Sequence, residues 1–153
     1  MQLRETRTLP VPLARAWAAL NDLGLLQQAI PGCESLVQTG DDAFDATMAL
    51  PAGPLTTRFV THLRRTDIDA PNACALLFDA RTMAGNGSGR ADMRLKAAGR
   101  AATTLDVAIT VEIEGALAQL GNALVELAAQ HMADEFFDRF VAGLDEQQAG
   151  APA

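Results

Sequence analysis

Between Glu34 and Ile113 apolar residues recur at every second position, and after Gly115 they recur at every third or fourth. The first period belongs to strands with one buried face and the second to a helix with one buried stripe. The strand sets are Phe44/Ala46/Met48/Leu50, Leu55/Thr57/Phe59/Thr61/Leu63, Cys74/Leu76/Phe78/Ala80, Ala91/Met93/Leu95 and Leu105/Val107/Ile109/Val111/Ile113. Turn chemistry separates them at Gly40-Asp41-Asp42, Pro51-Ala52-Gly53-Pro54, Pro71-Asn72, Gly85-Asn86-Gly87 and Gly99-Arg100. Connections this short join neighbouring strands as hairpins, so the sheet is antiparallel, with one face covered and one in water.

The flanks complete the layout. Gln2 to Leu9 reads as a first strand with weak alternation. Pro12 then suits a helix start, because the N–H that proline lacks has no partner there. Leu13, Ala16, Trp17 and Leu20 follow at helical spacing. Asp22 caps a short second helix, and Pro31-Gly32 ends it. From Gly115 to about Leu144 one long helix is expected. It carries a stripe of Leu117, Leu120, Leu124 and Leu127, then Met132, Phe136, Phe140 and Leu144 at a strict spacing of four. That second spacing advances about 40° per step, so the apolar face rotates along the helix. The expected fold is α+β: a curved antiparallel sheet of about seven strands wrapped on a long C-terminal helix, with two short helices after strand 1. Residues 1–146 make one domain, and 147–153 a flexible C-terminal tail.

Several function classes fall away. The net charge of −7 opposes nucleic-acid binding, which needs a basic surface. The first seven residues contain Arg4, Glu5 and Arg7, which leaves no apolar core for a signal peptide. No uncharged stretch reaches the roughly 20 residues of a transmembrane helix, and a cytoplasmic location is expected. Gly85, Gly87 and Gly89 lack the spacing of a dinucleotide loop and read as a hairpin. Neither Ser35 nor Ser88 lies in a nucleophile elbow. Cys33 reads as a small buried corner residue and Cys74 as core. His62 and His131, with those cysteines, have no metal-ligand spacing. No catalytic residue, metal ligand or cofactor is therefore assigned.

Some residues carry a resemblance. Trp17, Leu20 and Asp22 lead into Ile30-Pro31-Gly32-Cys33-Glu34; Gly53-Pro54 and Phe59 follow, then Gly87-Ser88-Gly89 and Thr103-Thr104-Leu105. Gly115-Ala116-Leu117-Ala118-Gln119-Leu120-Gly121, Ala133-Asp134, Phe136-Phe137 and Phe140 close the pattern. Over about residues 1–145 the chain resembles the CoxG family, the G subunits of carbon monoxide dehydrogenase, within the START-like helix-grip (SRPBCC) superfamily. The resemblance implies a non-catalytic accessory protein that holds a lipophilic molecule of lipid or quinone type in the helix-grip cavity. It also implies molybdenum hydroxylase subunits as partners, and peripheral placement at the inner membrane through such a partner. Two alternatives stand beside it: a superfamily enzyme on a small hydrophobic substrate, like a polyketide cyclase or aromatase, and a pure protein-docking module.

Face parity names the expected cavity lining: Phe44, Met48, Phe59, Leu76, Phe78 and Met93 from the sheet, and Leu120, Leu124 and Leu127 from the helix. Polar groups inside are expected to be Thr57, Thr61, Thr82 and His131. A large side chain at an inner alanine, as in Ala46→Phe, is expected to block the cavity and leave the fold intact.

Overall fold

A computed structural model describes residues 1–52, 54–83 and 85–149; within them the side chains of Leu50, Pro51, Ala52, Leu55, Leu117, Leu120, Asn122, Gln148 and Ala149 fall outside the description. The element order is β1 (Gln2–Leu9), α1 (Leu13–Leu20), α2 (Leu23–Ala29), β2 (Cys33–Gly40), β3 (Ala43–Ala52), β4 (Leu55–Asp69), β5 (Ala73–Thr82), β6 (Gly85–Ala97), β7 (Thr103–Glu114) and α3 (Asn122–Ala149). A 3-10 segment, Gly115–Leu120, precedes α3. The seven strands form one antiparallel sheet in the order β1-β7-β6-β5-β4-β3-β2. The hairpin order follows from the short turns, and β1 closes the far edge against β7.

Two apolar clusters cover the inner face. Leu9, Val11, Ala16, Ala91, Leu95, Leu105, Phe137, Phe140 and Leu144 pack together beneath α1 and the C-terminal half of α3. Leu36, Phe44, Ala46 and Met48 pack beneath α2, which supplies Leu23 and Leu26. Asp22 caps α2 by accepting from Leu25 N–H at 3.2 Å. Buried Thr103 donates to the Val11 carbonyl at 2.8 Å and fixes the Pro10-Val11-Pro12 segment against β7. Helices α2 and α3 approach closely at Gly143, where a Cβ would stand 2.2 Å from Leu25 Cδ1.

The long helix differs from expectation in its start, its buried face and its end. First, it starts at Asn122, not Gly115. Gly115 and Gly121 bracket the 3-10 segment at φ +83° and +89°, a region that ends a helix and that glycine adopts freely. Second, the described part of the leucine stripe, Leu124 and Leu127, does not face the sheet. Leu124 and Leu127 are 58% and 70% exposed. From Leu127 to Phe136 is nine residues, and at about 100° per residue that is half a turn. Burying Phe136, Phe140 and Leu144 therefore turns Leu127 outward. Residues 147–149, expected as tail, are the last turn of α3, and Gln147 Nε2 donates to Asp22 Oδ2 at 3.0 Å.

Candidate ligand-binding groove

Helix α2 covers β2 and β3, whereas α3 packs on α2 and on β1. Between them the inner face is buried at Cys74, Ala91 and Leu95 and only half-buried at Phe59, Thr61 and Leu63 of β4, at Leu76, Phe78 and Ala80 of β5, and at Gly87 and Gly89 of β6. Strand register sorts this face into rows, because directly paired residues share a face. One row reads Ala46–Thr61–Ala80–Gly87–Ile113. The next reads Phe44–Leu63–Phe78–Gly89–Val111. On the other side Met48 pairs with Phe59.

The middle row is small from Thr61 to Gly87 and ends at half-buried Ile113. Thr61, Ala80 and Gly87 form a trough, walled by Phe78 on one side and Phe59 on the other. A Cβ built on Gly87 meets nothing within 4 Å, so there is open space above it. The deep end is apolar: Leu76, Met93 and Phe78 pack partly against the first cluster, and Phe59 against the second.

Of the expected lining, Phe44 and Met48 are buried beneath α2, while Phe59, Leu76, Phe78 and Met93 are half-buried along the groove. Leu124 and Leu127 lie on the exposed side of α3, and the groove is lined without them. The side chain of Leu120 lies outside the described residues. Ala46 is 2% exposed and lies under α2, so a Phe there would overpack the second cluster before it reached the trough. Gly87 is the position where added bulk meets space.

The profile of one family matches residues 8–144: CoxG, the G subunit of carbon monoxide dehydrogenase. The chain belongs to the CoxG family. No curated protein sequence matches it. Among solved structures it is similar to a conserved protein from Geobacillus kaustophilus, at 20% identity and TM-score 0.90, over 96% of this chain and 97% of that one. It is also similar to a START superfamily protein from Mycobacterium smegmatis, at 9% identity and TM-score 0.73, over 95% and 97% of the two chains. At these identities the likeness speaks for the fold, which is START-like helix-grip.

This CoxG-family chain carries charged groups on the inner face that strand alternation alone did not flag. Glu5 and Arg7 share the parity of buried Leu9 and face α3. Arg7 Nη2 donates to Glu5 Oε2 at 3.1 Å and to Asp134 Oδ1 at 2.6 Å. Gln130 Nε2 donates to Glu5 Oε1 and, at 3.0 Å, to Asp134 Oδ1. The Arg7 guanidinium also lies over the Phe137 ring, 5.1 Å from its centroid. This clamp ties the middle of α3 to the sheet edge. A second inner arginine, Arg65, lies over Phe44 and donates to Asp42 Oδ1 at 3.1 Å. The available signal was parity: Leu3, Glu5, Arg7 and Leu9 are one face of one strand. His131, by contrast, is not inside; its side chain is 81% exposed beside Glu135.

Burial pushes the Cys33 and Cys74 thiols above their ordinary value, so neither favours the thiolate a nucleophile needs. Among the described residues no three His, Cys, Asp or Glu side chains are placed to hold a metal ion. No described helix is long and apolar enough to cross a membrane.

Hydrogen bonds from Gln130 and Arg7 hold the Asp134 carboxyl below its ordinary 3.8. A carboxyl depressed in the folded state stabilises that state above its unfolded pKa, and the contribution is lost as pH falls through the folded value. Wild type is therefore expected to be more stable than Asp134→Asn at neutral pH. The gap should close as pH falls below 3.8. Thermal unfolding of both proteins across that range checks it; a gap that stays constant would remove the clamp's charge from the account.

Proposed function

We propose that this chain is a non-catalytic accessory protein that holds a lipophilic molecule, of lipid or quinone type, in the groove between α2 and α3. The carrying observation is the uncovered trough of Thr61, Ala80 and Gly87 between Phe59 and Phe78. Concave apolar surface with few polar groups is the usual make-up of a small-molecule site. The charged groups nearby support carriage over catalysis. Arg7 is committed to Glu5 and Asp134, and Arg65 to Asp42. CoxG membership supports assistance to a molybdenum hydroxylase in the cytoplasm, with membrane contact made through that partner.

The test is native mass spectrometry and solvent extraction of the purified protein, followed by titration with menadione. Wild type is expected to carry or take up such a molecule. Gly87→Val should lower affinity at least tenfold with no loss of stability, because a Cβ at this position meets nothing within 4 Å and a β-branched side chain suits a strand. Wild type that neither carries nor takes up a ligand would sink the reading. Protein docking would then come forward, since Leu124 and Leu127 present apolar surface on α3.

A further inference from the structure

The inward polar side chains differ in whether an ion pair or hydrogen bond already engages them, and in how near they stand to the trough. Arg7 and Arg65 are bound to carboxylates through Nη2, and the buried Nε of each, which has no partner among the described residues, is held in place by those ion pairs. Thr82 donates to the Gly85 carbonyl at 2.8 Å. Thr57 is exposed at the mouth. Thr61 is half-buried on the floor and its hydroxyl is bonded to no described residue. It stands in the row with Ala80 and Gly87, where no side chain extends beyond Cβ.

Strands lie about 4.8 Å apart, so Thr61 to Gly87 spans roughly 10 Å across β5. That strip is flat, apolar and long enough for two or three fused rings. Phe59 and Phe78 stand on either side and limit its width. A flat ring system laid across Ala80 and Gly87 brings one edge to the Thr61 hydroxyl.

We infer that Thr61 is the specificity-determining residue of the groove, its hydroxyl donating to a carbonyl oxygen on the edge of a flat, fused-ring ligand that lies over Ala80 and Gly87. This rests on the lipophilic-ligand reading and adds to it the shape and polar group of what is bound. A ligand that is only hydrocarbon leaves the hydroxyl unused. A carbonyl ligand gains one neutral hydrogen bond, worth roughly 3- to 10-fold in affinity.

A matched pair of probes tests it: 9-fluorenone, and fluorene, which has the same three rings without the carbonyl. Both are titrated into wild type, Thr61→Val and Thr61→Ser, with thermal unfolding run alongside. Thr61→Val keeps the side-chain shape and removes the hydroxyl. It should weaken fluorenone by about 3- to 10-fold, and leave fluorene unchanged or tighter. Thr61→Ser should restore fluorenone binding. The carbonyl stretch of bound fluorenone should lie at lower frequency in wild type than in Thr61→Val. Equal fluorenone affinity in wild type and Thr61→Val, or a parallel loss of both probes, overturns the role of Thr61. The lipophilic reading survives those results if fluorene binds wild type. If wild type binds neither probe, that reading falls and this inference with it.

Discussion

Phe140→Ala is expected to cost about 3–5 kcal/mol, and so to lower the unfolding midpoint by roughly 6–20 °C in a chain of this size. Phe140 is fully buried and belongs to the cluster with Leu9, Val11, Leu105 and Leu144. Its ring stacks on Phe136 at 5.6 Å, and Phe136 meets Phe137 edge-on at 5.2 Å. Truncation leaves a cavity where α1, α3 and the sheet meet. Glycine-tight packing of α3 on α2 at Gly143 restrains the collapse that would fill it. The magnitude should therefore lie toward the upper end. Leu127→Ala on the same helix is the control. Its side chain is largely exposed, so the change should stay within about 0.5 kcal/mol. Urea unfolding of both variants checks the pair. A large cost at Leu127 would mean that the N-terminal half of α3 is packed, contrary to the structure.

That contrast also marks what the sequence made readable. Strand alternation from Phe44 to Ile113 located the hairpins and the inner face, because each residue's face depends only on its parity. The rotating stripe on the last helix was visible too, since Met132, Phe136, Phe140 and Leu144 keep a spacing of four. What spacing could not show is which of two apolar stripes wins the core. The sheet accepts the aromatic one, and Leu124 and Leu127 are left outside. Helix periodicity is also blind to a single residue at positive φ, so Gly121 broke the expected helix unseen. In β1 the charges of Glu5 and Arg7 hid an inward face that Leu3 and Leu9 announce. Their burial becomes tolerable only when Gln130 and Asp134 arrive from a helix more than a hundred residues away.

Two glycines two residues apart on β6 should behave in opposite ways. Both face inward, Gly87 opposite Ala80 and Gly89 opposite Phe78. A Cβ on Gly89 would stand 2.2 Å from the Thr110 carbonyl oxygen and 2.6 Å from Phe78 Cζ. The second contact belongs to a side chain that can swing; the first belongs to backbone in the adjoining strand. Relief requires β6 and β7 to separate where both are interior to the sheet. Gly89→Ala is therefore expected to cost about 3 kcal/mol, the upper end for overpacking, and to lower the midpoint by roughly 6–12 °C. Gly87→Ala adds its methyl to open space. It should leave stability unchanged or raise it by up to about 1 kcal/mol, since glycine in a strand is entropically costly. Thermal unfolding of the two variants side by side decides it. Gly89→Ala as stable as wild type would mean that the Thr110 carbonyl does not crowd β6 at this position, contrary to the close approach of the two strands.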